Sequence, residues 1–348
     1  MPTIPISTGE LLDRMSILEI KMHHLSEHKA IECQHEYDQI ACDVFHPDHK
    51  YYYNLLIRVN SKIWGLQDKL HHGVGDPAID YQAILDLNDQ RFKIKQKINR
   101  LVDSDINEQK GYGERKCVIY GHLGMGDMYW MNGAVRFFST IYDEVIVVTK
   151  INNVTNTTLM YQDDPTIKIW PVPFHVKTED ITKNLSQHVM IACGIAAGFG
   201  AEKYPHSFYT DMGLDSNIRT DYFHHANSPE SEILADQLDE PFIIVHESKS
   251  STNIDLSRNF NLDRQLVLNI GRNMYPAGHK YYNVAQLFVN KPLHCYIDAL
   301  QQAEELHLIE SSLACLAVHL DLSNVKVKKI YKASSNFLQL EIFKEGSL

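Results

Sequence analysis

The spacing of apolar residues changes near residue 108, and that change governs what the chain can fold into. Before it, Leu11, Met15, Leu18, Met22 and Leu25 follow steps of four, three, four and three, the stripe of an amphipathic helix. Leu55, Val59, Ile63, Leu66 and Leu70 form a second stripe, and Ile84, Leu87, Ile94, Ile98 and Leu101 a third. Ser7-Thr-Gly-Glu10 has capping-box spacing, which puts a hydroxyl and a carboxylate against the free N–H groups of a helix start. Glycine and proline are sparse apart from the Gly73–Pro77 break. Residues 1–108 therefore read as an all-α hairpin or small bundle with short loops.

Glu108–Glu114 reads as a linker. Beyond it come short β-rich runs at Cys117–Tyr120, Glu144–Thr149, Thr166–Trp170 and Val189–Cys193, several separated by helical stretches. Polar Asn227–Asp239 reads as a second boundary. Phe242–Val245, Gln265–Ile270, Glu305–Ile309 and Val325–Tyr331 then start a new series, with Pro292–Ala303 as its best helix. Alternation of this kind predicts mostly parallel sheets flanked by helices. The expected organisation is a helical module (1–108) followed by two α/β halves (115–238 and 240–348).

Composition narrows the function classes. The chain has 348 residues, 44% hydrophobic and 22% charged, which fits a globular protein of two or three domains at roughly 100–200 residues each. Its net charge, 33 − 44 = −11, lacks the basic excess of a nucleic-acid binder. No apolar run approaches the ~18–20 residues that span a bilayer, and the N-terminus lacks the pattern of a secretory signal. Six cysteines lie far apart with no C-x-x-C pair, so zinc and disulfide readings are poor and a reducing cytoplasmic setting fits best. The triplets at Asn153 and Asn184 match glycosylation sites only by chance in that setting.

Two segments carry chemistry. Tyr120-Gly-His-Leu-Gly-Met-Gly-Asp127 follows a strand and opens a helix. Its glycines permit a tight turn and close approach of a ligand, and Asp127 falls at the carboxyl edge where open α/β sheets bind ligands. The spacing is neither the dinucleotide fingerprint nor a P-loop. The bland alternative is a glycine turn with Asp127 as a helix cap. In Glu305-Leu-His-Leu-Ile-Glu-Ser-Ser-Leu-Ala-Cys315 a strand again runs into a helix. Ser311 and Ser312 lie where a phosphate is well placed, and capping is the bland alternative there too.

Leu123-Gly-Met-Gly-Asp127 followed by Gly133-Ala-Val-Arg136 resembles the N-terminal signature of heptosyltransferase-like enzymes, inverting glycosyltransferases of the two-Rossmann-domain GT-B fold. Glu310-Ser-Ser-Leu-Ala-Cys-Leu-Ala317 matches the stretch with which that family grips the donor pyrophosphate. The chain is more similar still to uncharacterised glycosyltransferase-like proteins of bacteria and large viruses or phages, which share a His-Leu-Gly-x-Gly-Asp turn. Phe208–Asp215 with Arg219 also looks like that group. The resemblance covers about residues 115–335, and Gly9–Lys21 resembles a helical module found beside such domains. Glu310, Ser312 and Cys315 replace the family's aspartate, glycine and histidine, and the first turn is enlarged.

The resemblance implies two Rossmann-like halves of GT-B type and transfer from a nucleotide-diphosphate sugar to a glycan or other hydroxyl acceptor, with no metal or other cofactor. Asp127 would be the base, with His122 second and Gly124 and Gly126 shaping the turn at the acceptor side. Ser311, Ser312 and Glu310, together with Arg258 or Lys249, would meet the diphosphate, where arginine offers two parallel hydrogen bonds. Asn273, His279 and Tyr282 would face the nucleoside. Asp103-Ser-Asp105 has the spacing of a manganese-holding pair but ends a helix rather than a strand. Adjacent histidines, as at His224-His225, diverge by about 100° on a helix and read as structural. Two alternatives stay open: a nucleotide-sugar epimerase-like enzyme, and a non-catalytic glycan- or nucleotide-binding assembly protein. The helical stripes further suggest a homodimer through residues 1–108.

Overall fold

The computed structural model describes residues 5–44, 49–106, 108, 114–176, 180–181, 189–192, 205–210, 212–249 and 252–346, without the side chains of 41–44, 249 and 336. These residues belong to two compact units. Met1–Arg115 with Phe137–Glu144 make the first, and Lys116–Arg136 with Val145–Leu348 the second.

The first unit is built on four helices: α1 (Thr8–His24), α2 (Glu27–Val44), α3 (Lys50–His71) and α4 (Pro77–Leu101). Helix α1 packs against each of the other three, and α3 against α4. Of the expected stripes, Met15 and Leu18, then Leu55, Val59 and Ile63, then Ile84, Ile94 and Ile98 are buried in its core, whereas Leu11 is half-buried and its neighbour Leu12 is buried instead. Helix α2 was not expected, because its apolar residues form no stripe; Ile31 is exposed.

A polar seam runs through this core. Gly9 lies so close to α4 that an added Cβ would stand 2.5 Å from the Lys95 carbonyl oxygen. Its amide donates to Asn99 Oδ1 at 2.7 Å. Asn60 Nδ2 donates to Asp13 Oδ1 and to Ser16 Oγ, both at 2.8 Å. Burial raises the Asp13 pKa, against the lowering effect of that Asn60 bond. The capping box forms only by half. Ser7 Oγ accepts from the Glu10 amide, but the Glu10 carboxylate turns to the Lys95 ammonium at 2.6 Å, where a charge-assisted bond replaces the neutral one. Residues 137–144 are held to this unit by Asp143, which pairs with Lys93 and accepts from the Arg115 amide.

The second unit holds two parallel sheets. The first contains β1 (Lys116–Tyr120), β2 (Glu144–Lys150), β3 (Ile167–Val172) and β4 (Val189–Ala192) in the order β3-β2-β1-β4. The second contains β5 (Phe242–His246), β8 (Leu266–Asn269), β9 (Glu305–Ile309), β10 (Val327–Tyr331) and β11 (Lys344–Glu345) in the order β11-β10-β9-β5-β8. Between β5 and β8 a small antiparallel ribbon pairs β6 (Ser248–Lys249) with β7 (Thr252–Asn253). The strands β1, β5, β8 and β9 are almost entirely buried apolar runs, as sheets covered on both faces require. Pro171 sits in β3, an edge strand, where its missing N–H costs no ladder bond.

Eight strands fall within two residues of the β-rich runs read from the sequence, whereas the two-residue strands β6, β7 and β11 match no such run; Cys193 lies outside the described residues. Pro292–Ala303 is a 3-10 turn, Leu293–Tyr296, before a short α-helix, Ile297–Gln302.

Candidate active site

Each sheet of the second unit reverses its strand order at one place. In the first sheet β2 and β3 extend to one side of β1, and β4 lies on the other. In the second, β8 lies on one side of β5, and β9 to β11 on the other. Open parallel sheets bind ligands at such switch points, beyond the carboxyl ends of the strands. Asp127 follows the end of β1, and Ser311 and Ser312 follow the end of β9. The two segments singled out in the sequence therefore lie beyond the strands at the two switch points.

After β1 the chain turns into helix α5 (Met125–Trp130). The residue that takes the left-handed conformation is Leu123, at φ 65°, and not a glycine. Such a backbone costs a non-glycine residue roughly 1–2 kcal/mol. Leu123 is fully packed, and its carbonyl accepts from Asn153 Nδ2 at 3.1 Å, so the surroundings hold the strained turn. Asn153, whose triplet carries no glycosylation meaning in the sequence, thus supports this turn. Gly124 has ordinary φ and serves a different need: an added Cβ would lie 2.5 Å from Asp127 Oδ2. The Gly124 amide donates to that oxygen at 3.0 Å, so Asp127 does cap its helix. Burial raises the Asp127 pKa, while the neighbouring His122 and the Gly124 bond pull it down. A carboxylate with raised proton affinity is a stronger base.

Gly126 explains the second half of the turn. Its Cβ position lies 3.1 Å from Cys315 Sγ and 3.9 Å from Ser312 Cα. Helix α5 therefore packs directly on the helix Ser312–Ala317, here α6, and the two switch points meet through this contact. Cys315 is buried, and its thiol pKa is pushed well up by that burial and by the nearby Asp127 and Glu310.

Ser311 precedes α6 but does not cap it with its side chain. Its Oγ lies 2.9 Å from Nδ1 of His246, at the end of β5 across the switch point. Burial pushes the His246 pKa down to about 4, so the ring is neutral near pH 7. A neutral ring has two tautomers. When Nδ1 accepts, the serine proton points at the ring. When Nδ1–H donates, the serine proton is free for a ligand oxygen. His246 was missed from the sequence because a lone histidine ending an apolar strand has no spacing signature.

The remaining candidates are placed as follows. Both carboxylate oxygens of Glu310 accept from Ser334, through its amide at 2.6 Å and its hydroxyl at 3.0 Å. Arg258 is exposed. Lys249 is in β6, and its side chain lies outside the described residues. Asn273 spends its side chain on its own loop, donating to the Tyr282 carbonyl and to Gln286 and accepting from the Tyr275 amide. His279 stacks on Tyr275 at 4.7 Å and accepts from the Tyr281 amide. Beside His246, the buried Glu247 accepts from Asn269, Arg272 and the Leu256 amide, which fixes the loop after β5. Asp103 and Asp105 follow α4 in the first unit. Among the described residues, no group of three or more histidines, cysteines or acids is arranged to hold a metal ion, and no helix is long and apolar enough to cross a membrane.

Residues 3–119 match a family of unknown function, DUF6165. No curated protein matches the chain. Among solved structures it is similar to the dodecameric iron-containing heptosyltransferase TibC in complex with ADP-D-beta-D-heptose, at 16% identity and a TM-score of 0.38, over 62% of this chain and 59% of that one. It is also similar to the iron-containing dodecameric glycosyltransferase TibC from enterotoxigenic E. coli H10407, at 15% identity and a TM-score of 0.38, over 65% and 60%. The chain thus spans about three-fifths of the length of those proteins.

Proposed function

We propose that the chain is a glycosyltransferase of GT-B type that moves a sugar from a nucleotide-diphosphate donor to an acceptor hydroxyl, with inversion and without a metal. The observation that carries this reading is the packing of Gly126 on Ser312 and Cys315. It sets a carboxylate at one switch point beside hydroxyl and amide donors at the other.

In this reading Asp127 takes the proton of the acceptor hydroxyl as its oxygen forms a bond to the anomeric carbon. The bond from that carbon to the diphosphate oxygen breaks, and the leaving group keeps the electron pair. Ser311 and Ser312 stabilise the charge that develops there. His246, in its Nδ1–H tautomer, leaves the Ser311 proton free for a phosphate oxygen. His122 sits beside Asp127 and tempers its proton affinity. Arg258 and Lys249, in the segment between β5 and β8, would meet the donor diphosphate in this reading.

The test separates the base from the cap. Asp127→Asn retains an oxygen for the Gly124 amide but cannot take a proton. Thermal shift against a panel of nucleoside diphosphates and nucleotide sugars, with and without manganese, identifies the donor. Transfer is then assayed with that donor. The expected outcome is metal-independent binding by both proteins and transfer reduced at least about 100-fold in Asp127→Asn, the scale of general-base catalysis. Full transfer by Asp127→Asn overturns the assignment.

One observation favours a second reading, a nucleotide-binding assembly protein without turnover. Glu310 is committed to Ser334, and the Cys315 thiol is buried where the resembled family carries a pyrophosphate-gripping histidine. Binding of a nucleotide without transfer to any of a wide set of acceptors supports it. A cytoplasmic setting and pairing of chains through the helical unit belong to the same proposal. Tyr81 and Leu85, one turn apart on α4, are exposed. The full chain is then expected at about twice its 40.0 kDa mass by light scattering, and a monomer counts against pairing.

A further inference from the structure

We infer that Arg219 forms an oxyanion-binding site, independent of the transfer reaction proposed above. Arg219 lies in the short helix Ile218–Asp221 of the second unit and is half-buried. Its guanidinium carbon stands 5.7 Å from the centroid of the Trp130 ring. That ring is fully buried and meets His319 edge-on at 4.9 Å, and His319 in turn stacks on Phe223 at 4.3 Å. The backbone of Arg219 is fixed as well. A Cβ on Gly133 would stand 2.9 Å from the Arg219 carbonyl oxygen and 3.0 Å from its Cα. The cation is thus held on a rigid aromatic platform.

What the platform lacks is an anion. No carboxylate lies within ion-pair distance of Arg219 among the described residues, and no acceptor meets its guanidinium. Nε is shut off from solvent without a hydrogen-bond partner. The two terminal nitrogens meet no partner among the described residues and are not fully shut off from solvent. The other arginines of this unit differ. Arg136, fully buried, is bound by both oxygens of Asp163. Arg272 is bound by Glu247. Arg258 and Arg264 are exposed. Among the described residues, Arg219 is the arginine of this unit that is half-desolvated without an acid partner. Burial depresses its pKa accordingly. The face of Trp130 offsets part of that desolvation, but a ring face does not satisfy N–H donors. A planar fork whose terminal nitrogens meet no partner among the described residues matches a phosphoryl or carboxylate group in a bidentate pair.

His319 adds a polar contact of the opposite kind. With Nδ1 bonded to the Cys315 carbonyl at 2.8 Å it must carry its proton there, because a carbonyl only accepts. Burial pushes its pKa down to about 3, so the ring is neutral and Nε2 is a bare acceptor without a partner. The cation therefore has no competing positive charge on the stack.

The test uses the full chain and inorganic phosphate, in thermal melts at constant ionic strength with chloride as the balancing anion. Wild type is expected to show a saturable rise of about 2–4 °C. Arg219→Met keeps the stem on Trp130 and removes the charge. It is expected to melt higher than wild type in chloride, because the unpaired cation is gone, and to show no rise with phosphate. Arg264→Met, an exposed control, keeps the rise. Acetate in place of phosphate distinguishes the ligand: a rise with both assigns oxyanions generally, a rise with phosphate alone a phosphoryl group. A phosphate response that survives in Arg219→Met overturns the proposal, as does a wild type that responds no more to phosphate than to chloride. If Arg219→Met does not fold, Arg219→Lys replaces it. Lysine keeps the charge but not the fork, and the phosphate concentration giving half the rise should increase about tenfold; an unchanged midpoint overturns the site.

Discussion

Single residues in this chain answer questions that residue types alone leave open. Gly9, Gly124 and Gly126 have ordinary backbone angles, and each is glycine because something stands where a Cβ would be. The harder case is Gly9, whose neighbour is a backbone carbonyl that cannot rotate away. Gly9→Ala must push α1 off α4 and strain the bond to Asn99, so a loss of about 1–3 kcal/mol in denaturant unfolding is expected. An unchanged midpoint would show that the helices part without cost. Asp127 carries two roles at once. Asp127→Ala removes the cap as well as the base and should lose about 1 kcal/mol of stability, whereas Asp127→Asn should lose much less. Equal losses would mean that the Gly124 bond contributes nothing.

At the scale of elements, the contact between α5 and α6 decides whether the two sheets cooperate. A methyl group on Gly126 would meet Cys315 Sγ closer than ordinary contact. Gly126→Ala is expected to destabilise by about 1 kcal/mol or more, and Cys315→Ala in the same chain to restore part of it. A double-mutant cycle with coupling below about 0.3 kcal/mol would show that the two residues do not press on each other. The elements themselves were largely legible in the sequence. Long periodic stripes gave α1, α3 and α4, and β-branched runs gave the strands, because burial on one face or on both leaves a repeating signal. Helix α2 had no such signal, since its residues are mostly exposed. The site was legible only in part. Asp127, Ser311 and Ser312 stood out through glycine and serine at strand-to-helix turns. His246, Asn153 and the buried Glu247 did not, because they have side-chain partners 65, 30 and 25 residues away, and separations of that size leave no local pattern. Asn273 and His279 looked available for a nucleoside, yet they are taken up by their own loop, a fate that only three-dimensional packing decides.

For the whole molecule, the second unit carries several neutral imidazoles that are buried or half-buried. Burial lowers the pKa of His224 and His319 to about 3, and of His225 and His246 to about 4, with the Arg136 charge adding to the effect at His224 and His225. Each ring is uncharged in the folded chain but takes up a proton in the unfolded chain below about 6.5, the ordinary histidine value. The unfolded state therefore binds more protons as pH falls, and stability is lost on acidification. The contribution is fully present above about 6.5 and drains away as pH drops toward 3 to 4, by at most about 1.4 kcal/mol per pH unit for each ring. Asp13 and Asp127 act the other way. Their raised pKa values add stability at low pH that is lost as pH rises through those values. Two carboxyls offset only part of four imidazoles, so the histidines set the sign. Urea unfolding of the full chain is expected to show a midpoint that falls steadily from pH 6.5 to pH 4.5. His319→Phe, which keeps a ring against Phe223 and Trp130 but removes one proton site, should flatten that slope. A midpoint that is level across this range, or a slope unaltered by His319→Phe, would mean that these rings are wetter than their packing implies.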